Sequence, residues 1–151
     1  MDLDILFLDI DGVLNPDKDN YPDGFCPECV GELKRLFKAC PDLKIVFSTS
    51  WRLGVPFFAL GWLWRQHELP LKVIVGRTPE IRVDQRGREI REWLQDAPRL
   101  LPNCRVRRFA AVDDEVEPLL ECLPVETIFA CEPFEGLTQR VANRLIRHFA
   151  V

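Results

Sequence analysis

The chain has 151 residues, of which 47% are hydrophobic and 29% are charged, and its formal net charge is −4. This length and composition are those of an ordinary globular protein with a substantial core, and we predict a single domain over residues 1–151. The acidic balance argues against a general nucleic-acid coat or a membrane-surface protein, both of which usually carry excess basic charge, but it permits a local basic groove.

Short apolar runs alternate with helical patterns along the whole chain. In chain order the predicted elements are strand 4–9, helix 26–40, strand 43–48, helix 55–69, strand 71–76, helix 87–97, strand 107–114, a short helix around 115–122, strand 125–131 and helix 137–149. Continuous apolar strands that alternate with helices are typical of a parallel sheet covered on both faces. We therefore predict an α/β fold, a three-layer Rossmann-like sheet of about five strands.

The first predicted helix begins with "CPEC", which contains Cys26 and Cys29. A structural zinc site would need a second pair of ligands at a similar spacing, and the other cysteines and the two histidines are single. A redox pair of cysteines is possible, but the sequence context that usually accompanies such a pair is missing. The sequence therefore favours a helix start with both cysteines on its packing side.

No stretch of the chain has the character of a secretory or membrane segment. The apolar run at the start is short and follows acidic residues, and "VPFFALGWLW" is well below the roughly 20 residues that a spanning helix needs. We therefore predict a cytoplasmic protein that does not enter the membrane, with its cysteines reduced.

Three predicted strands end in acidic or hydroxyl side chains. The carboxyl ends of parallel strands meet at one edge of the sheet, which is where open α/β sheets bind ligands. The residues gathered there are Asp9, Asp11, Ser48, Thr49, Ser50, Asp113 and Asp114. One acid after a strand usually caps the next helix, but four carboxylates at one edge repel one another and require a cation or a shared proton. Carboxylate oxygens suit a hard cation such as Mg²⁺.

A magnesium site of this kind predicts a phosphorylated substrate. Protein-bound Mg²⁺ typically completes its coordination with substrate phosphate oxygens, and a carboxylate can attack phosphorus to form an aspartyl-phosphate. The transition state then requires hydrogen-bond donors and a fixed cation. Thr49 could supply a hydroxyl donor, and Arg86 or Arg88, at the entrance of the 87–97 helix, could supply the cation.

Three motifs resemble those of the haloacid dehalogenase (HAD) superfamily, in its phosphatase branch. "DIDGVLN" resembles the first motif, DxDG(V/T)L, "VFSTSWR" resembles the second, and "AAVDDE" resembles the acidic fourth motif. More narrowly, "TSWR" and "FEGLT" are similar to small HAD domains found alone or in RNA-repair-like proteins. The resemblance covers nearly the whole chain, in the correct order, and implies the HAD-like fold.

The resemblance also implies a role for each matched residue. Asp9 is expected to be the nucleophile that becomes phosphorylated, and Asp11 the acid for the leaving group and then the base for water. Mg²⁺ is expected to bind the Asp9 side chain, the Asp11 backbone carbonyl and Asp113, with Asp114 orienting the site. Thr49 is expected to bind the transferring phosphoryl group.

The third motif departs from the superfamily, which usually has a lysine ahead of the helix that precedes motif four. This chain has "VDQRGREIREW" there, and an arginine can bind phosphate through two nitrogens. Arg86 is the first choice because it lies just ahead of the predicted helix, and Arg88 is the alternative. Either arginine could instead be a solvated charge.

The predicted loops are too short for an inserted cap domain, so we predict an essentially capless enzyme with an open site. Open sites suit large substrates such as nucleic-acid ends or phosphoproteins, and small phosphoesters also fit. Trp51 and Arg52 could stack on a base or hold a phosphate, whereas the alternative is that Trp51 packs under its loop. "RVRR" (105–108) precedes strand four, away from the catalytic edge, and is not counted as a nucleic-acid site.

Two functions compete. The first is a Mg²⁺-dependent phosphomonoesterase that acts through an aspartyl-phosphate, and the second is a HAD-fold interaction module without catalysis. A degenerate module would tend to lose Asp9, Asp11 or Asp113, and this sequence retains all three, which favours the enzyme. A positive surface around the catalytic edge would favour nucleic acid as substrate, and a negative rim would favour small molecules or proteins.

Overall fold

The computed structural model describes residues 1–16, 24–48, 57–81 and 85–150, which form an α/β fold around one five-stranded parallel sheet. The strands are β1 (Asp2–Leu8), β2 (Leu43–Phe47), β3 (Ile74–Arg77), β4 (Arg105–Asp113) and β5 (Ile128–Ala130). The helices are α1 (Pro27–Ala39), α2 (Phe57–Gln66), α3 (Arg86–Leu100), α4 (Glu117–Leu120) and α5 (Gln139–Phe149). The predicted Rossmann-like sheet is therefore confirmed.

The strand order is β3-β2-β1-β4-β5, and all neighbouring pairs are parallel. The chain begins in the centre of the sheet with β1, moves outward to β3, and then returns to lay β4 on the other side of β1. The strand order therefore reverses between β1 and β4. In open α/β sheets, the crevice at the carboxyl ends of two such strands is the usual ligand site.

Both faces of the sheet are covered. Leu6 and Leu8 of β1 join the core formed with α1, α2 and α5, whereas Ile5 and Phe7 join the core formed with α3 and α4. Successive side chains of a strand point to opposite faces, so a strand buried on both faces is apolar throughout. This is why residues 5–8 of β1 are a continuous apolar run, which holds the carboxyl end of the strand rigidly.

The third and fifth strands begin later than their apolar runs predict. Residues 71–73 and 125–127 form 3-10 turns, each directly after a proline, Pro70 or Pro124. The carbonyl of Pro124 accepts hydrogen bonds from the backbone N–H and the hydroxyl of Thr127. Such local bonds satisfy the backbone before the chain reaches the sheet, which shortens both strands.

Helix α3 is longer than predicted at both ends. It begins at Arg86 and continues past Pro98 to Leu100. Pro98 has no N–H to donate to the carbonyl of Leu94, and the helix ends two residues later. Arg86 is thus the first residue of the helix, at the carboxyl edge of the sheet.

The described residues form no second sheet besides this one. Cys26 and Cys29 are buried at the start of α1, as the packing interpretation of "CPEC" predicts, and none of the six cysteines, all of which lie in the described ranges, forms a disulfide. None of the helices in the described ranges is long and apolar enough to cross a membrane.

The basic run 105–108 lies in β4 beside the first residues of β1. Arg105 pairs with Asp2 at 2.9 Å, and both Arg107 and Arg108 pair with Asp4, at 2.6 and 3.2 Å. The acids of β1 therefore offset this run, which lies at the amino end of the sheet. It stabilises the pairing of β1 with β4 and is not a free basic surface.

Replacing Asp4 by Asn is expected to lower the free energy of unfolding by about 2 kcal/mol at neutral pH. Burial opposes ionisation of Asp4, but the hydrogen bonds from Arg107 and Arg108 outweigh burial, so its pKa is lowered from 3.8. A lowered pKa stabilises the fold above the unfolded-state pKa, and that stability is lost as the pH falls through the folded-state pKa. Urea unfolding at several pH values should therefore show a difference in the free energy of unfolding between Asp4→Asn and the unmodified protein, and this difference should shrink in acid.

Asp2→Asn is the matched control, because Asp2 is on the same strand but its ion pair with Arg105 is exposed. Solvent screens exposed pairs, so this variant should unfold nearly like the unmodified protein. Equal losses in the two variants, or a loss in Asp4→Asn that does not change with pH, would contradict the account of Asp4.

Candidate active site

Three adjacent strands place polar side chains next to one another at the carboxyl edge of the sheet. Leu8 is paired with the last residue of β2 and with Val112 of β4, so the following residues Ser48, Asp9 and Asp113 are neighbours. The N–H of Ser48 donates to the carbonyl of Leu8 at 2.9 Å, and the N–H of Asp9 donates to that of Val112 at 3.3 Å. Strand pairing therefore extends to the residues that carry the polar groups.

Asp9, Asp113 and Asp114 form a cluster of carboxylates. Each can offer an oxygen that lies within 4.8 Å of the others. Asp9 is completely buried, Asp113 is 2% exposed, and Asp114 is partly buried. The predicted convergence of acids from β1 and β4 is thus observed for these three, and together they could hold a metal ion.

Asp11 lies outside this cluster, on the exposed rim of the site. The carbonyl of Ile10 accepts hydrogen bonds from the N–H groups of Val13, Leu14 and Asn15, which closes a tight turn directly after β1. The turn places Asp11 at its exposed tip while its neighbours are buried. The role predicted for Asp11 requires such access to a substrate.

Arg86 reaches the carboxylates from the first residue of α3. Its Nη1 lies 2.7 and 2.8 Å from the two oxygens of Asp113 and 3.2 Å from Oδ2 of Asp9, and its side chain is 16% exposed. Arg88, in contrast, is 63% exposed and pairs with Glu92 at 3.8 Å. Of the two predicted alternatives, the structure brings Arg86 into the carboxylate cluster and places Arg88 on the outer surface of α3.

The carboxylates of the cluster carry more negative charge than Arg86 offsets. Burial, reinforced by the charge of Asp113, raises the pKa of Asp9 to about 9, even though Arg86 opposes the shift. Burial also raises the pKa of Asp113 to about 6, again against Arg86. Burial disfavours the charge of Arg86, but Asp9 and Asp113 raise its pKa above the ordinary value. The group therefore requires a proton or a further cation.

Two buried side-chain oxygens in the described ranges have no hydrogen-bond partner, Oδ1 of Asp9 and Oγ of Ser48. Buried polar atoms are nearly always satisfied, and exceptions often mark functional sites. Both atoms belong to residues at the tips of adjacent strands. A hard divalent cation with oxygen ligands would satisfy Oδ1 of Asp9 and neutralise the excess charge, so the donor set fits Mg²⁺.

Gly12 fits closely against the cluster, a contact that the sequence pattern does not predict. Its φ of 77° is unfavourable for other residues, and a Cβ at this position would overlap the side chain of Asp114. The Asp-Gly pair formed by Asp11 and Gly12, shortly after an apolar strand, indicates a turn, but the contact with Asp114 depends on the tertiary fold.

Gly12→Ala is expected to displace Asp114 and to lower the free energy of unfolding by about 1–3 kcal/mol. Thermal unfolding measures the loss of stability. Calorimetric titration with Mg²⁺ detects the displacement of Asp114 as weaker Mg²⁺ binding. Gly31→Ala is the control, because a Cβ at Gly31 in α1 would have no neighbour within 4 Å and alanine favours the helix. Stability and Mg²⁺ affinity unchanged in Gly12→Ala would contradict the steric argument.

The predicted phosphoryl ligand Thr49, together with Trp51 and Arg52, lies outside the described residues. Their predicted roles remain predictions.

A groove of about 680 Å³ leads away from the cluster on the side of β4 and β5. Its acidic lining residues are Asp114, Glu115, Glu117, Glu121 and Glu132. This part of the rim is therefore negative, which disfavours close approach of a polyanion there.

A comparison with protein families gives one match over residues 5–142, to the model described as the HAD domain in Swiss Army Knife RNA repair proteins. No curated protein and no solved structure matches the chain. The family match covers most of the chain and includes Asp9, Arg86, Asp113 and Asp114.

Proposed function

Because the chain belongs to the family of HAD domains in Swiss Army Knife RNA repair proteins, we propose that it is a Mg²⁺-dependent phosphatase that acts through an aspartyl-phosphate on Asp9. The observation that carries the proposal is the buried cluster of Asp9, Asp113 and Asp114 beside Arg86, with an unpartnered oxygen on Asp9. A buried, under-neutralised group of carboxylates opposes folding, and a binding site for a cation and a phosphate accounts for it.

In the proposed reaction the side chain of Asp9 attacks phosphorus, and the bond from phosphorus to the leaving-group oxygen breaks. Asp11, exposed on the rim, donates a proton to that oxygen and later accepts one from the water that hydrolyses the aspartyl-phosphate. Asp9, Asp113, Asp114 and the backbone carbonyl of Asp11 would hold or orient the metal. Bound Mg²⁺ would neutralise charge on the phosphoryl oxygens.

Arg86 and Thr49 are proposed to bind the phosphoryl group. The guanidinium of Arg86 makes its bonds to described residues through Nη1 alone, so Nε and Nη2 can present two N–H donors to a phosphate. The N-terminus of α3 adds a favourable field for a negative charge at this point. Arg86 is therefore proposed for the position where the superfamily usually has a lysine.

The substrate is proposed to carry a terminal phosphate on a larger body, which an open site accommodates. The description of the family, which refers to RNA repair, supports a nucleic-acid end. The acidic groove beside Asp114 favours a substrate with few negative charges on that side, so a polynucleotide would have to leave the site in another direction. Phosphoproteins and small phosphoesters are the competing substrates.

Hydrolysis of an aryl phosphate, with Mg²⁺ and after its removal by EDTA, tests the proposed activity. We expect turnover that EDTA abolishes and that added Mg²⁺ restores. A panel of 5′- and 3′-phosphorylated RNA oligonucleotides, mononucleotides and phosphopeptides then identifies the substrate class. An absence of hydrolysis across the whole panel in the presence of Mg²⁺ would instead support an interaction module without catalysis.

A further inference from the structure

One nitrogen of Arg86 takes the position of a cation among the carboxylates. Nη1 lies within 3.2 Å of three oxygens, both from Asp113 and Oδ2 from Asp9. An Nη1 group has two hydrogens, so it cannot direct a full hydrogen bond to each of three oxygens. The contact is therefore mainly that of a compact positive charge surrounded by oxygens, which is the arrangement that a metal ion requires.

The proposed metal needs oxygens that Arg86 already holds. Asp113 can offer two carboxylate oxygens, and both of them contact Nη1. Asp9 differs, because its Oδ2 contacts Nη1 while its Oδ1 has no partner. A divalent cation could thus bind Oδ1 of Asp9 without displacing the guanidinium, whereas a cation bound to Asp113 would lie next to Nη1, and the two positive charges would repel each other.

We propose that Arg86 takes the place of the divalent cation in the metal-free protein and releases Asp113 when the cation binds, which frees Nη1 and lets the whole guanidinium turn towards the phosphate. The inference rests on the proposed function in that the same carboxylates hold the cation. Arg86 then links the two binding events, because it leaves the carboxylates when the cation binds and contacts the phosphate afterwards. The cation binds first, and the phosphate-binding form of the arginine follows.

The backbone at the start of α3 is fixed, so the proposed movement is confined to the side chain. A Cβ at Gly87 would lie 2.5 Å from the carbonyl oxygen of Pro118, which shows how closely the helix start packs against α4. One turn further, the buried Glu89 accepts a hydrogen bond from the N–H of Ile81 at 2.9 Å. The four flexible torsions of Arg86 are then the part that can respond to a cation.

Calorimetric titration of the full chain with Mg²⁺, without phosphate, gives the first test. Arg86→Met keeps much of the length and apolar character of the side chain but removes its charge, and we expect it to bind Mg²⁺ about tenfold more tightly or better, because the competing state is gone. Arg88→Met is the matched control two residues away on the exposed surface, and its Mg²⁺ affinity should stay within about twofold of the unmodified protein. Unchanged or weaker binding by Arg86→Met would overturn the proposal.

Tighter Mg²⁺ binding by Arg86→Met could also arise because the charge repulsion between Arg86 and the cation is gone, without any movement of the side chain. The movement of the Arg86 side chain is therefore measured directly. In protein labelled with ¹⁵N in its arginine side chains, the Nε signal of Arg86 is assigned by its absence in Arg86→Lys. We expect this signal to shift on addition of Mg²⁺ and to return with EDTA, whereas the signal of Arg88 remains unchanged.

An Arg86 signal that is insensitive to saturating Mg²⁺ would overturn the proposal, even if the methionine variant does not fold. Failure of the unmodified protein to bind Mg²⁺, even with tight binding by Arg86→Met, would overturn it as well, because the cation would then not displace the guanidinium. Absence of Mg²⁺ binding in both would also overturn it. None of these readouts uses turnover, so they are separate from the test of phosphatase activity.

Discussion

Asp9→Asn is expected to lower phosphatase turnover by a factor of about 10⁴ or more, because an amide cannot replace the carboxylate as a nucleophile toward phosphorus. The fold should survive the change. Burial raises the pKa of Asp9 to about 9, so the metal-free fold favours the neutral form of this carboxyl group. Asn is close to that neutral group in size and polarity, and we expect similar thermal unfolding of the metal-free proteins.

The control is Asp96→Asn, which removes a carboxylate that is 56% exposed on α3 and remote from the cluster. Its steady-state rates with an aryl phosphate should match those of the unmodified protein. Substantial turnover by a folded Asp9→Asn protein, after contaminating phosphatases have been excluded by a second purification, would contradict the role of Asp9 as the nucleophile.

Asp11→Asn is expected to lower kcat by about 10²- to 10⁴-fold for an alkyl phosphate and by less for an aryl phosphate with a good leaving group. The difference arises because only the poor leaving group needs a proton from Asp11. Hydrolysis of the aspartyl-phosphate also loses its base, so the aryl phosphate should show a burst of one phenol per site before a slow steady state. Rapid-quench kinetics with the two substrates measures both effects.

Mg²⁺ affinity separates this role of Asp11 from a structural one. The predicted metal ligand at this position is the backbone carbonyl, and the side chain lies on the exposed rim, outside the carboxylate cluster. Replacing the side chain should therefore leave Mg²⁺ binding unchanged. Equal losses for alkyl and aryl phosphates, together with weaker Mg²⁺ binding, would show that Asp11 maintains the site rather than transferring protons.

The carboxylate cluster could be predicted from the sequence because strand ends determine it. A continuous apolar run that ends in Asp9 and another that ends in Asp113 define two parallel strands, and parallel strands deliver their carboxyl ends to one edge. The order of the strands was not predicted. That β1 and β4 are neighbours at the reversal of strand order depends on the packing of the whole sheet.

The choice between Arg86 and Arg88 could also have been made from the pattern. Arg86, Ile90, Trp93 and Ala97 follow one another at the spacing of a single helix face, and the last three are buried. Arg88 lies two residues further on, on the opposite side of the helix. The predicted helix began one residue too late, at 87, so Arg86 was not included in the periodicity.

Contacts between segments that are far apart along the chain could not be predicted from the sequence. Asp4 interrupts an apolar strand without any local reason, and its partners Arg107 and Arg108 are about a hundred residues away along the chain. The contact of Gly12 with Asp114 has a similar separation. Both depend on the register of β1 against β4, which local propensity and periodicity do not specify.

Chemical trapping of the intermediate tests the central claim most directly. The protein would be mixed with an aryl phosphate and Mg²⁺, quenched during turnover, and treated with borohydride, which reduces an acyl phosphate but not a free carboxylate. We expect homoserine in place of Asp9 in the peptide map, formed only with substrate and absent from Asp9→Asn. Active turnover with Asp9 unmodified and another aspartate reduced, or with no acyl phosphate at any position, would contradict it.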